Sequence, residues 1–498
     1  DALGAHTTAR NNSAVGFESL KTNTTGSENQ AFGTYALTLN TTGASNTSVG
    51  YNALGANTTA DNNTAMGFRC LQANTTGYAN TAVGTIALDA NTTGVNNVAM
   101  GRAALTTCTT GGSNVGIGLS ALEALSTASN NVAVGANALG ANNASSNVAV
   151  GASAAQASTG VGNTAVGTSA LAGSNTANYN TAIGNSALEN NTSGTTNVAV
   201  GRNALNANTT GSVNTAVGMR SIDVNTTGYN LTAVGGDSMG ANTTGNSNTA
   251  IGMDSLKANT TGAENVAVGT YAGDSVTTAT VNTLIGHNAG TNATTGAANT
   301  FIGAESGLSC TTNHYNTIVG YHADTKSDNT TDEYQISLGF NTESVGANFF
   351  TFGKGTGNDR VYNGFTSNAS WTRVSDERYK KEIQDNTDCG LAFINDLRPV
   401  TFKWKAKSEL DSNFPDYDAT KTTADHTGKM YGLIAQEVKT ALDKHNITDF
   451  GGWSSITTGD HTQQGVSQEM FIHPLIKAVQ ELSAKLTAAE ARISALES

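Results

Sequence analysis

A glycine that returns every seventeen residues constrains this chain more than anything else in it. The motif N-T-A-V-G places its glycine at 16, 33, 50, 67, 84, 101, 118, 135, 151, 167, 184, 201, 218, 235, 252, 269, 286, 303 and 320, and the spacing drops to 16 only at 135–151 and 151–167. A short fixed period means that each unit is one structural turn stacked on the next. The unit N-T-A-V-G-x-x-A-L-x-x-N-T-T-G-x-x is too short and too glycine-rich for a helical pair. It holds two short extended pieces separated by turn formers.

Each position has a physical reading. The residue before each glycine is apolar (Val15, Phe32, Val49, Met66 and onward to Val319), and two residues earlier sits mostly Thr or Val. Period-two alternation puts these positions on one face of a strand and the intervening Ala on the other. The small-residue face is a candidate for the place where three chains meet. N-T-T-G supplies turn residues, its glycine able to take positive φ, and stacked asparagines suit side-chain amide ladders. No proline precedes Pro399, as strands bonded on both sides require. Near the end of the array the Ala two before the glycine becomes Leu284, Phe301 and Ile318, while the Leu four after the glycine becomes Gly273, Gly290 and Gly307. Large and small trade places, so these positions share one packed volume.

Disorder is the competing reading, but disordered chains carry high net charge or much proline. Here charged residues are 13% and prolines number 3. A net charge of −13 offers no basic stripe for nucleic acid and reads as solubility. No apolar run approaches the length of a membrane span. Cys70, Cys108, Cys310 and Cys389 show no metal-ligand or disulfide spacing. Neither a metal nor a cofactor is expected. Ala2-Leu3-Gly4-Ala5 repeats as Ala53-Leu54-Gly55-Ala56, so residue 1 lies inside a repeat, and a further N-terminal part is expected.

Residues 1–324 resemble the head-domain β-rolls of trimeric autotransporter adhesins and similar arrays in phage tail fibres. The A-V-G core and Asn turn agree, whereas the period of 17 exceeds the usual adhesin unit. The resemblance implies a mainly β fold, a homotrimeric parallel β-roll or β-solenoid shaft. Nineteen rungs at about 4.8 Å would make it about 90 Å long. A monomeric solenoid is the alternative.

The C-terminal quarter is different. Residues 375–498 hold 33 of the 63 charged residues and all three prolines, and read as a charged α+β domain. Residues 325–374 lose the period and gain Phe349, Phe350, Phe352, Phe365 and Trp371, which reads as a β-rich neck. In the last helix Ile472, Leu475, Val479, Leu482, Leu486, Ala489, Ile493 and Leu496 are spaced 3, 4, 3, 4, 3, 4, 3, the a/d seam of a coiled coil over 472–498. An amphipathic helix lying on its own domain is the other reading.

Four blocks follow in order: Ser375-Asp376-Glu377-Arg378-Tyr379-Lys380-Lys381-Glu382-Ile383; Leu397-Arg398-Pro399-Val400 with Phe402-Lys403-Trp404-Lys405; Tyr431-Gly432-Leu433-Ile434-Ala435-Gln436-Glu437-Val438; and Pro474-Leu475-Ile476-Lys477-Ala478-Val479-Gln480-Glu481-Leu482. Together they resemble the intramolecular chaperone, auto-processing domain of phage tailspikes, endosialidases and tail fibres. The resemblance implies a domain that trimerises, aligns the chains and then cleaves itself off. The scissile bond would be Val374–Ser375, with Ser375 as nucleophile, Lys380 as its base and Asp376 orienting the serine or its amide. On the residues alone, Ser375 reads as a helix N-cap with acidic first-turn neighbours and Lys380 as an exposed helix lysine.

The function expected is a viral tail-fibre shaft, located on the virion, that attaches to a host-cell glycan or protein. The alternative is a bacterial adhesin fibre on the cell surface. No turnover enzyme, nucleic-acid partner or membrane insertion is expected. Near-identical rungs leave inter-chain register weakly specified, which is why an end domain that aligns the chains makes physical sense.

Overall fold

The computed structural model describes residues 2–326, 333–356, 359–364, 372–373, 377, 380–412, 417–424, 428–458 and 461–497. Two compact units divide the chain, Asp1–Ser375 and Asp376–Ser498.

The first unit is a parallel β-solenoid. Three-residue strands, β1 (Ser13–Val15) to β19 (Thr317–Val319), pair in parallel with the next strand in sequence. The register matches repeat position to repeat position, as in Thr64↔Thr81, Ala65↔Ala82 and Met66↔Val83. The stack continues past the visible repeat through β20 (Ile336–Phe340) and β21 (Phe349–Lys354), which are also parallel. It then turns antiparallel with β22 (Arg360–Gly364) and β23 (Thr372–Arg373).

The core is one narrow column of Ala and Leu. In a typical rung Ala65, Ala53, Leu54 and Asn57 are fully buried. The strand's Ala therefore faces the protomer's own interior, and the residues around it, such as Met66, face out. This corrects the expectation that the small-residue face is where chains meet. A rung this tight has room only for a methyl opposite each Leu, so the larger β-branched row is the outward one.

The turns also depart from expectation. The corner glycine of A-V-G takes φ between +131° and +146°, a region closed to other residues. The N-T-T-G glycine does not use positive φ. A Cβ at Gly26 would sit 2.2 Å from the Gly43 carbonyl oxygen of the next rung and 2.6 Å from Asn23 Oδ1, a close fit that favours glycine, although Ala60, Ala128 and Ala279 hold the same position in other rungs. In most rungs three non-glycine residues are left-handed instead, for example Asn52, Leu54 and Asn62 at φ 54°, 50° and 61°. The left-handed Leu costs about 1–2 kcal/mol, and full burial of its side chain offsets this with about 1.5–3 kcal/mol.

Two asparagine ladders stitch the rungs. Asn46 N–H donates to Asn29 Oδ1 at 3.0 Å, and Asn46 Nδ2 donates to the Ala60 carbonyl at 2.9 Å. In the second ladder Asn40 Nδ2 donates to Asn23 Oδ1 (2.7 Å) and to the Gly43 carbonyl (2.9 Å). The second ladder stops where the next rung has no amide. Asn91 Oδ1, facing Cys108, and Asn259 Oδ1, facing Val276, are buried without a hydrogen-bond partner. Cys70, Cys108 and Cys310 are free and buried. Burial pushes their thiols up to about 12, 11 and 12, so they act as small inert side chains.

The exchange of large for small is a shared volume. A Cβ on Gly307 would lie 2.5 Å from Phe301 Cδ2, one on Gly290 2.8 Å from Leu284 Cδ2, and one on Gly273 2.6 Å from Leu284 Cδ1. Phe301→Ala alone is therefore expected to destabilise the shaft by about 3–5 kcal/mol through the cavity it leaves. Gly307→Leu alone overpacks the same space. The double variant restores the pattern found elsewhere in the repeat and should recover most of the loss, giving a coupling above about 1 kcal/mol in denaturant unfolding. Simple additivity would disprove the shared volume.

The second unit contains α1 (Leu391–Asn395), β24 (Val400–Phe402), β25 (Met430–Gly432), α2 (Ala435–Lys444), β26 (Trp453–Thr458), β27 (His461–Val466) and α3 (Ile472–Glu497). Its core gathers Phe393, Val438, Ala441, Leu442 and Phe471. The rings of Phe393, Phe450 and Phe471 meet with centroids 5.0–6.3 Å apart.

Candidate functional site

Blocks distant in sequence converge in the C-terminal unit. β24 pairs antiparallel with β25 through Val400↔Gly432 and Phe402↔Met430. Arg398 forms an ion pair with Glu437, and that guanidinium holds the Glu437 carboxyl below its ordinary range. Asp396, at the end of α1, accepts hydrogen bonds from Lys444 Nζ (2.8 Å) and contacts His445 Nε2 (2.5 Å) at the end of α2. Its carboxyl is lowered, first by Lys444 and then by His445. Glu481 of α3 reaches back to accept the Leu391 N–H at 2.9 Å, placing a carboxylate on the first turn of α1, where exposed N–H groups want one. Its cue was only a glutamate beside the heptad seam, and the sequence reading gave it no role.

Helix α3 has two faces. Pro474 and Ala478 are buried against the unit, with Glu481 half-buried beside them and Phe471 buried just before the helix begins. The heptad seam is not the face that packs there. Ile472, Leu475, Val479, Leu482, Leu486 and Ile493 are all exposed, Val479 by 63% and Leu486 by 59%. An apolar seam of this length left open to water marks an association surface.

Of the residues assigned to cleavage, Val374, Ser375 and Asp376 lie outside the described residues, as do Arg378 and Tyr379. Lys380 is described. It is exposed, and its N–H donates to the Glu377 carbonyl at 2.9 Å. Glu377 lies in a 3-10 turn, and residues 380–389 are not helical. A lysine that activates a serine needs a desolvated setting or a neighbouring cation. Lys381 stands next in the chain, 3.9 Å from Glu382 and well exposed. Among the described residues no cluster of His, Cys, Asp and Glu could hold a metal, and no helix is long and apolar enough to cross a membrane.

Fold and site define a β-solenoid of about 20 turns joined to a small α+β end domain that closes on a long helix. Residues 375–447 match the model of the peptidase family described as chaperone of endosialidase. The match begins at Ser375 and takes in the first three of the four blocks. It supports a C-terminal domain for folding and trimerisation. No curated protein matches the chain.

Proposed function

We propose that the chain is a subunit of a homotrimeric tail-fibre shaft of a virion that attaches to a host-cell surface glycan or protein. Its C-terminal domain aligns three copies for folding and then cleaves itself off at Val374–Ser375. The observation that carries this reading is the exposed apolar seam of α3 in a chain whose end domain matches a chaperone family. The shaft offers a second surface of the same kind. Its outward strand row, including Val15, Phe32, Met66, Met100, Ile117 and Ile183, is 36–60% exposed. Three such rows facing one another would bury a continuous apolar seam along the shaft. That turns thin solenoids into a stiff rod.

In this reading Ser375 Oγ attacks the carbonyl carbon of Val374 while Lys380 accepts the serine proton and returns it to the Ser375 nitrogen as the peptide C–N bond breaks; water then hydrolyses the Val374 ester left on Ser375, and Asp376 orients the serine or its amide. Lys380 is exposed in a single chain, and in this reading a neighbouring subunit supplies its desolvation, which makes cleavage follow assembly. Once the clamp is gone, the shaft is held by a kinetic barrier rather than by the domain that aligned it.

The test is intact-mass analysis of the full-length product beside Ser375→Ala. The wild-type chain should yield a C-terminal fragment beginning at Ser375, and the variant should stay whole. One uncut band in both would reject self-processing and leave the folding role to be judged on assembly.

A further inference from the structure

Four rungs near the start of the shaft carry an aromatic row that the fold itself does not require. Phe17, Tyr51 and Phe68 follow a corner glycine directly, and Tyr35 stands one residue later. Phe17 meets Tyr35 edge-on at 5.6 Å, Tyr35 meets Tyr51 edge-on at 5.9 Å, and Tyr51 stacks on Phe68 at 5.4 Å and 13°. About half of each outer ring stays open to water: 58% of Phe17, 47% of Tyr51 and 49% of Phe68. Other rungs fill the same position with Thr85, Ala136, Thr168 or Asn185, so the turn needs no ring there. A contiguous exposed aromatic row marks a binding surface rather than a packing need.

We propose that this row is a platform for a neutral, β-linked glycan chain lying along the shaft axis. In-register rungs about 4.8 Å apart set the rings along a line about 14 Å long, enough for a short oligosaccharide. A pyranose with equatorial substituents has an apolar face of axial C–H groups that rests on an aromatic ring, while its rim of hydroxyls needs a few well-placed polar partners. Those partners stand beside the rings. Glu18, Asn52 and Arg69 occupy the left-handed position next along each rung, at φ 57°, 54° and 54°. The charges among them are balanced. Glu18 Oε1 is 2.7 Å from Lys21 Nζ, and Arg69 bonds Gln72 and lies 3.9 Å from Asp89. Balanced charge suits an uncharged chain over an acidic one. A second copy of this protein is the competing occupant, because the row adjoins the outward strand face. The polar line beside it suits a hydroxylated ligand better than a subunit core depleted of charge.

The inference deepens the attachment reading and rests on it for its purpose, whereas the binding itself is tested on the purified full chain. Cellohexaose and N-acetylchitohexaose are titrated by calorimetry into the wild type and into Tyr51→Thr/Phe68→Thr, which installs the residue that other rungs carry. The wild type should bind at least one of them, and the variant should bind about tenfold more weakly or worse, with its size in solution unchanged. No binding of either sugar by the wild type at millimolar concentration overturns the proposal, as does equal binding by the variant. A changed oligomeric state in the variant also overturns it, assigning the row to subunit contact. Cell adhesion separates the two readings. A variant that adheres as well as the wild type removes the platform and leaves attachment standing. A wild type that adheres to no cell removes attachment while the sugar titration still decides the platform.

Discussion

Leu482→Asp combined with Leu486→Asp should leave the chain unable to form trimers and unable to cleave itself. Both side chains lie on the open seam of α3, away from Phe471, Pro474 and Ala478, which hold the helix to its own unit. The substitutions therefore spare the fold of the end domain and strike only what the seam meets. In a three-stranded core each position is shared by three helices, so the two changes bring six carboxylates into an apolar environment. Burying an unpaired charge costs several kcal/mol after relaxation, and the total exceeds the about 5–15 kcal/mol that stabilises a typical domain. Light scattering should report monomer or aggregate in place of trimer. The fragment starting at Ser375 should be absent even though the serine is intact, because nothing then covers Lys380. Ser483→Asp, an exposed position off the seam, should assemble and cleave as the wild type does. Persistence of a trimer in the double Asp variant would remove the coiled-coil clamp and the alignment role with it.

Much of the shaft was legible because a repeat multiplies weak local signals. A single N-T-A-V-G says little, but nineteen copies fix strand position, register and the amide ladders together, since every rung must satisfy the one above it. Which face pointed inward was not legible. Alternation separates Ala65 from Thr64 and Met66 but carries no sign. The sign comes from the rung's cross-section, where a methyl is all that fits opposite Leu54. The role of Gly26 was misread for a similar reason. Its closest neighbour is the Gly43 carbonyl of the next rung, a contact across one full period that no local turn rule contains, and Ala60 and Ala128 at the same position show that the rung can make room for a methyl. Beyond residue 324 the sequence period fades while the stack goes on through β20 and β21. There the inward positions become Ser337 and Thr351, both fully buried, so the hydrophobic beat disappears although the strands persist. In the end domain the first three of the four blocks fall within the segment that matches the family model. The Arg398–Glu437 pair and the Glu481 cap of α1 join residues 39 and 90 positions apart, beyond the reach of any motif.

Gly50→Ala should cost the shaft about 3 kcal/mol or more, whereas Gly55→Ala five residues on should be nearly neutral. The corner glycine sits at φ +135°, and a Cβ there would lie 2.3 Å from the Gly67 carbonyl oxygen and 2.7 Å from its carbon. Strain at such an angle accounts for about 1–3 kcal/mol. The collision adds to it, because the obstacle is backbone of a rung pinned on its other side by Gly84. Only separating two rungs relieves it, and that breaks the Gly67 N–H bond to the Val49 carbonyl (2.7 Å) and its neighbours. Gly55 is different in kind. The nearest atom to its Cβ, Asn52 Oδ1 at 1.9 Å, belongs to a side chain that can rotate. The equivalent position carries Lys21, Thr38, Gln72 and Asp89 in nearby rungs. Stability in a solenoid is close to a sum of nearest-neighbour terms, so the damage from Gly50→Ala should stay local. Hydrogen exchange should show lost protection across the rungs on either side of residue 50, with the rungs beyond Gly184 unchanged. Uniform loss along the whole shaft would mean that the rungs unfold as one body, and equal effects from the two glycines would show that rung-to-rung backbone contact does not set the seventeen-residue beat.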